Sequence, residues 1–466
     1  MGVLETRAVD FERIVMLSMN EGTIPAKPVQ NTFIPNSLRE AFGLPTQNYR
    51  DAVYAYHFYR LLARAREAVF LYDCRADGMQ SGEPSRYLLQ LKYLSDAKIE
   101  IRTPAAPISS EDPYVVSVRK DEQVMQKLGR FLKGGPKSLS ASNLKTYLAC
   151  PLEFYLAFVE GLDVSDELED EMDDSRFGTI LHATLERFYN RFEGQWVMDD
   201  ALKKALDDGE ELRRMVAELY NENNGDPGRS GYQQLVCELI LSNVRSVLSH
   251  DRQVTPLRYL KSESRFNITY RFSDALEVNL KAIYDRLDIV RDKQGIESLR
   301  VVDYKTGNPK RGNSNKLQVG GIMQAFQDKG SCSKEAFQVM FYSLMLSLLS
   351  KEQMSALHLS SDELFGTLKV QPHLYFTREF VQEKDSTRTC LHYRPGEGDE
   401  VYGNLNGEED MTDFGRYIQA FGDGLKKLIG EIFNPATDFR QTADEQNCNY
   451  CKFRSICAKT NTKQNE

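Results

Sequence analysis

The sequence predicts an α/β fold built on a mixed sheet flanked by helices. Three observations predict it. Short apolar strands alternate with helical patterns from the start of the chain to about residue 105. Helical periodicity then runs from Ser138 through Leu248. Between Ser262 and Val302 the period changes to that of strands, and an apolar helix over Gln338 to Leu349 and a late strand over His373 to Phe380 follow.

Taken in order, Arg13 to Met19 (RIVMLSM) reads as a buried strand, and Asn20-Glu21-Gly22-Thr23-Ile24-Pro25 turns the chain. Tyr54 to Glu67 is expected to be helical, and Ala68 to Tyr72 (AVFLY) to be another strand. The stretch 103–118 is rich in Pro and Ser, and Gly134-Gly135-Pro136 is a second break. This implies a domain over 1–105, a linker over 106–136 and a domain over 137–466. In the last of these, Ser140 is placed to cap a helix in LSASNLKTYLACPLEF. The acidic run Asp163 to Asp174 is expected to be a solvated loop, and FGTILHATLERFY a helix. The strand region then divides into SESRFNITYRF, ALEVNLKAIYDRLDIVRD and SLRVVDYKTG.

Composition excludes little. Hydrophobic residues make up 41% and charged residues 27%, as in an ordinary globular protein. The net charge of −9 argues against a surface that coats nucleic acid indiscriminately, but a local basic groove or a bound metal ion can offset it. No apolar run approaches the roughly 18–20 residues of a membrane span, and MGVLETRAVDF lacks a signal-peptide pattern. The expected location is the cytoplasm, with no membrane partner. Of the eight cysteines, three crowd together near the C-terminus, which in such a chain reads as metal binding before disulfides.

Two neighbouring strands each deliver an aspartate, Asp285 and Asp303. Lys305 follows Asp303 by two positions, so strand alternation puts both on one face. Two carboxylates from adjacent strands can share a hard cation such as Mg²⁺. A lysine beside it can orient an attacking water or stabilise charge on a phosphate. A D-x-K triplet alone is common on surface hairpins. Here it ends an apolar strand, Leu299 to Val302, where unused charges would be costly. Asp288 is a rival to Asp285, but lies an odd number of residues away and so faces the other side of a regular strand.

Val302-Asp303-Tyr304-Lys305-Thr306-Gly307 resembles the core motif of the RecB-family nucleases, within the PD-(D/E)XK superfamily. Gly178-Thr179-Ile180-Leu181-His182 resembles that family's helical histidine motif, and Ala282-Ile283-Tyr284-Asp285-Arg286-Leu287-Asp288 its first-strand aspartate motif, with Ala282 where the family often has glycine. Gln338 and Tyr342, one helical turn apart, resemble its Gln–Tyr motif near DNA and active site. The resemblance implies a restriction-endonuclease-like domain in which His182, Asp285, Asp303 and the carbonyl of Tyr304 bind Mg²⁺ or Mn²⁺. Asp285, Asp303, Lys305, Gln338 and Tyr342 would then form the catalytic set.

Cys448, Cys451 and Cys457 need a fourth ligand for tetrahedral zinc or a cubane iron–sulfur cluster, and Cys150, ahead of the histidine motif, is the best placed. The order, one cysteine before the nuclease motifs and three after, is similar to AddB-type helicase–nucleases. It implies a [4Fe–4S] cluster, with Zn²⁺ as the alternative. Glu5 to Gly22 and Tyr59 to Arg66 resemble late parts of the second motor domain of superfamily 1 helicases, with Arg64 at the position of a phosphate-contacting arginine. No G-x-x-x-x-G-K-[ST] loop occurs, so no ATPase is expected. The resemblance implies a metal-dependent deoxyribonuclease acting on single-stranded DNA in double-strand-break repair, with a partner of AddA type. The alternative is a non-catalytic DNA-binding or scaffold component of such a complex.

Overall fold

The computed structural model describes residues 3–6, 9–26, 36–74, 82–102, 115–162, 174–224, 231–307, 310–311, 314–327, 332–382, 388–449, 451–454 and 456–457. The chain divides into one unit over Met1–Asp112 and another over Pro113–Thr460.

In the first unit, β1 (Arg13–Met16) pairs in parallel with β2 (Glu67–Phe70), and α1 (Gln47–Leu62) and α2 (Arg86–Leu94) accompany them. Ile14, Met16, Met19, Phe58, Leu61 and Tyr87 form its core. Helix α1 begins well before Tyr54, because the Thr46 side chain accepts from the Tyr49 amide and caps it. That polar start carries little helical periodicity, so the expected boundary fell too late.

The second unit begins at Pro113, earlier than expected. Ser117–Val118 pairs antiparallel with Phe439–Arg440. A helix over Glu122–Gly129, capped by Asp121, buries Val124 and Leu128. The expected linker over 106–136 is therefore corrected in its described part: residues 115–136 are folded into the second unit, whereas residues 103–114 lie outside the described residues. Of the acidic run expected as a loop, Asp163 to Asp174, residues 163–173 also lie outside them, and Asp174 begins a helix.

A five-stranded mixed sheet organises this unit, curled and flanked by helices on both faces. The elements that position the site are, in chain order, α3 (Ala141–Ala149), α4 (Asp174–Tyr189), β3 (Trp196–Val197), α5 (Gly231–Gln253), β4 (Leu257–Arg271), β5 (Glu277–Arg291), β6 (Glu297–Lys305), α6 (Lys334–Leu346), β7 (Lys369–Phe376) and α7 (Ile418–Phe433). The strand order is β7-β6-β5-β4-β3, parallel only between β7 and β6. The late strand ends at Phe376, and Thr377–Gln382 is helical rather than strand.

Alternation along β6 feeds two cores. Leu299 and Val301 pack with α3, α6 and α7, whereas Val302 and Tyr304 pack with α4 and α5. Helix α6 is apolar on nearly every side because helices and sheet surround it, and Ser333 caps it by accepting from the Ala336 amide. Ser140 caps α3 in a reciprocal capping box with Asn143. Among the described residues, no helix is long and apolar enough to cross a membrane.

Candidate active site

Strands β5 and β6 pair from Arg291↔Glu297 to Arg286↔Val302. One step further, the same register would set Asp285 across from Asp303, and there the ladder stops. Released from it, the Tyr304 amide donates to Asp285 Oδ2 at 2.9 Å. The two aspartates thus stand where the strands part.

Asp303 is almost fully buried. Gln338 Nε2, from α6, donates to its Oδ1 at 3.1 Å and to the Tyr342 hydroxyl at 2.9 Å. Lys305 Nζ lies 2.7 Å from Asp303 Oδ2 and donates to Gln338 Oε1 at 3.4 Å. Lys305 and Asp303 form an ion pair, but its angles are poor, and Asp303 Oδ2 has no hydrogen bond.

His182 reaches the site from α4, on the opposite core. Its Nδ1 is 3.6 Å from Asp285 Oδ2 and 3.4 Å from Glu263 Oε1. Its ring meets the Tyr304 ring edge-on, with centroids 5.6 Å apart.

Glu263 is a residue that motif reading does not reach. Ser262 pairs with Arg286 and Ser264 with Tyr284, so Glu263 lies across from Asp285. A register irregularity between Tyr259 and Lys261 precedes it, and its φ is +47°. A left-handed backbone at a non-glycine residue costs about 1–3 kcal/mol and collects at functional sites. The only sequence signal was an acid in SESRF, and placing it needs the hairpin register.

His182, Glu263 and Asp285 each offer a ligand atom within 4.8 Å of the others, the only such group of three among the described residues. Asp303 stands outside that tightest group. Burial and the Asp303 carboxylate push the Asp285 carboxyl well above the usual range, with His182 and Lys305 countering in part. Burial pulls the His182 imidazole down, but Asp285, Glu263 and Asp303 outweigh it and raise it. Burial likewise opposes the Lys305 charge, but Asp303 and Asp285 hold it firmly as an ammonium. Crowded acids with a buried oxygen that lacks a hydrogen bond are what a hard cation relieves, so these residues fit a divalent metal ion.

Asp288 takes no part in this cluster. It faces the other side of the sheet, paired with Arg300 across the ladder and bound to Arg286 and Arg300. In the first unit, Arg64 lies at the surface in an ion pair with Asp10 at 3.0 Å, beside Arg60.

Cys150, Cys448, Cys451 and Cys457 line one small cavity with Leu152, Leu156 and Phe453. Asn447 ties the tail to α3 by donating to the Ala149 carbonyl at 3.4 Å. Burial, with Glu153, Cys150 and Cys457 nearby, pushes the Cys451 thiol up to about 11. No three of these sulfurs lie within 4.8 Å of one another. Tetrahedral zinc, with Zn–S of about 2.3 Å, would need them closer than that.

A model of the PD-(D/E)XK nuclease superfamily matches residues 138–458. The chain belongs to the PD-(D/E)XK nuclease superfamily. The matched stretch holds His182, Glu263, Asp285, Asp303, Lys305, Gln338 and Tyr342. Nucleases of this superfamily typically use divalent metal ions. The chain is also similar to AddB proteins, named as components of an ATP-dependent helicase/deoxyribonuclease. The one from Clostridium acetobutylicum is 21% identical over 364 residues, 70% of this chain and 30% of that protein. Those from Moorella thermoacetica and Streptococcus agalactiae are 26% and 28% identical over 189 and 225 residues. These matches take in 38% and 48% of this chain, but 16% and 18% of those proteins. The chain therefore spans less than a third of the length of these relatives.

Proposed function

We propose that the chain is a metal-dependent deoxyribonuclease whose Mg²⁺ or Mn²⁺ is held by His182, Asp285, Asp303 and the Tyr304 carbonyl, with Glu263 as a further acid. The observation that carries this reading is the buried Asp285–Asp303 pair, crowded by His182 and Glu263, with one Asp303 oxygen that has the Lys305 charge beside it but no hydrogen bond. When bound, the cation polarises the phosphate and makes water a better nucleophile. Lys305 is held as an ammonium, so it serves as a charge partner and not as a base. It steadies negative charge on the phosphate oxygens as water attacks phosphorus and the bond to the leaving oxygen breaks. Gln338 fixes both Asp303 Oδ1 and the Tyr342 hydroxyl, which orients Asp303 and points a polar pair at the nucleotide.

The names of the relatives support a place in a helicase–nuclease complex. Within that reading, the partner is of AddA type and single-stranded DNA is the main substrate. Residues 1–105 are then a partial motor domain, and no ATP turnover is expected from the chain. End-labelled single-stranded DNA with Mg²⁺ tests the reading. Wild type shortens it and Asp303→Ala does not. If both leave it equally intact, the chain is a scaffold and not a nuclease.

The same proposal assigns Cys150, Cys448, Cys451 and Cys457 to a [4Fe–4S] cluster. What supports it is that the four thiols line one cavity, and Zn²⁺ is the alternative occupant. Linking positions 150 and 457 closes almost the whole nuclease domain, so the role is structural. Protein purified without air should be brown, with about four irons per chain. A colourless, zinc-bearing protein would replace the cluster with Zn²⁺.

A further inference from the structure

Beneath the active site, on the sheet face that carries Val302 and Tyr304, four charged side chains are buried with no access to solvent worth the name. Asp251, Arg286 and Asp288 are fully buried, and Arg300 is 2% exposed. Arg286 Nη1 donates to Asp251 Oδ2 at 2.6 Å, and its Nε donates to Asp288 Oδ2 at 2.5 Å. Arg300 grips the same Asp288 with two bonds, at 2.7 and 2.9 Å. The two positive and two negative charges balance.

Such a network is an unusual way to fill a core. Apolar residues of similar volume would often be as stable or more so, because desolvating ions costs several kcal/mol each. What the charges supply instead is fixed geometry, and their arms lead to the residues proposed to hold the metal. Arg286 directly follows Asp285 on β5. Its Nη1 also donates to the Tyr304 hydroxyl at 3.1 Å. Tyr304 directly follows Asp303, gives its amide to Asp285, and sets its ring against His182. Tyr189 lies two helical turns beyond His182 on α4. Its hydroxyl donates to Asp251 Oδ2 at 2.5 Å, and the Arg286 guanidinium lies over its ring at 4.4 Å.

We propose that this buried charge network is a positioning device for the metal centre, acting through Tyr304 and Tyr189. It ties together the three elements that bring His182, Asp285 and Asp303 to one place. Arg286 anchors the Tyr304 hydroxyl, and the anchored ring braces the His182 imidazole while the Tyr304 amide aims Asp285. Tyr189 locks α4, and with it His182, to the same anchor. The side chains of Arg286, Tyr304 and Tyr189 are positioning groups that touch neither metal nor DNA; only the main-chain carbonyl of Tyr304 belongs to the proposed ligand set. The inference rests on the proposed metal site.

The test is Mn²⁺ affinity measured on the full chain by electron paramagnetic resonance, without DNA. Asp285→Asn first establishes the site: wild type binds and this variant loses binding. Tyr304→Phe keeps the ring but frees it from Arg286, and Tyr189→Phe releases α4. Each should weaken Mn²⁺ binding about 10-fold, the usual effect of removing a partner that orients a metal ligand. Tyr393→Phe is the control. Its buried hydroxyl donates to Asp399, outside this network, so it should cost similar stability and leave Mn²⁺ affinity unchanged. Wild-type affinity in both Tyr304→Phe and Tyr189→Phe, or a loss no larger than that of Tyr393→Phe, overturns the inference while the metal site stands. If wild type binds no Mn²⁺, or Asp285→Asn binds as well as wild type, the metal site falls and the inference falls with it.

Discussion

Replacing Lys305 with methionine removes one charge and little volume. In the structure its ammonium lies 2.7 Å from Asp303 Oδ2, an attraction of about 6 kcal/mol at an effective dielectric near 20. That attraction offsets burial of both groups, so net stability changes by less. Catalysis should suffer more. Loss of one fixed charge aimed at a transition state costs about 2.7–4 kcal/mol, a fall of about 10²–10³ in kcat. Metal binding should move the other way. Removing a positive charge leaves Asp285, Asp303 and Glu263 with a stronger field for a cation, so the Mg²⁺ needed for half-maximal rate should stay level or fall. Single-turnover cleavage of labelled single-stranded DNA across a Mg²⁺ series reads both quantities. A variant that keeps more than about a tenth of wild-type activity, or recovers it with extra Mg²⁺, refutes the role given to Lys305.

Glu263→Gln should raise the Mg²⁺ concentration for half-maximal rate about 10-fold, and Glu263→Gly should do the same while adding about 1 kcal/mol of metal-free stability by relieving its +47° backbone; thermal unfolding without metal checks the second half, and a lower Tm for the glycine variant contradicts it. Metal binding needs His182 neutral and Asp285 ionised, and the fold holds both groups above their ordinary values, so affinity should be present at higher pH and be lost as pH falls through those raised values. Titration calorimetry in buffers of different ionisation enthalpy should therefore register proton release on Mg²⁺ binding near neutral pH, and buffer-independent heats would count against it. Cys150→Ser should lower iron content and Tm together, whereas Cys74→Ser, at an exposed thiol in the other unit, should change neither.

Reading the residues went furthest where chemistry was local. The apolar run Leu299 to Val302 followed by Asp303 and Lys305 announced a buried strand ending in used charges, and β6 ends at Lys305. Asp285 and Asp288 could be separated by strand parity alone, and they lie on opposite sides of the sheet. His182 and Gln338 were legible only through their resemblance to known motifs, since a lone histidine or glutamine on a helix says nothing of what stands opposite. Glu263 stayed hidden because its place depends on the pairing of β4 with β5 and on an irregularity in that pairing. The buried charge network stayed hidden for a similar reason: Asp251, Tyr189 and Arg286 come from three elements far apart in the chain. The linker was overextended because Pro, Ser and Gly mark a break in periodicity, not a lack of packing. Lys133 and Leu139, either side of Gly134-Gly135-Pro136, donate their amides to the edge of β5.

The central claim is that one divalent cation sits among His182, Asp285 and Asp303. Anomalous scattering from crystals of the full chain grown with Mn²⁺ tests it most directly. The account predicts a single strong peak in the nuclease domain, about 2.1–2.2 Å from a His182 nitrogen and from carboxylate oxygens of both Asp285 and Asp303. A peak elsewhere, or one that leaves Asp303 bound only to Lys305 and Gln338, would contradict it.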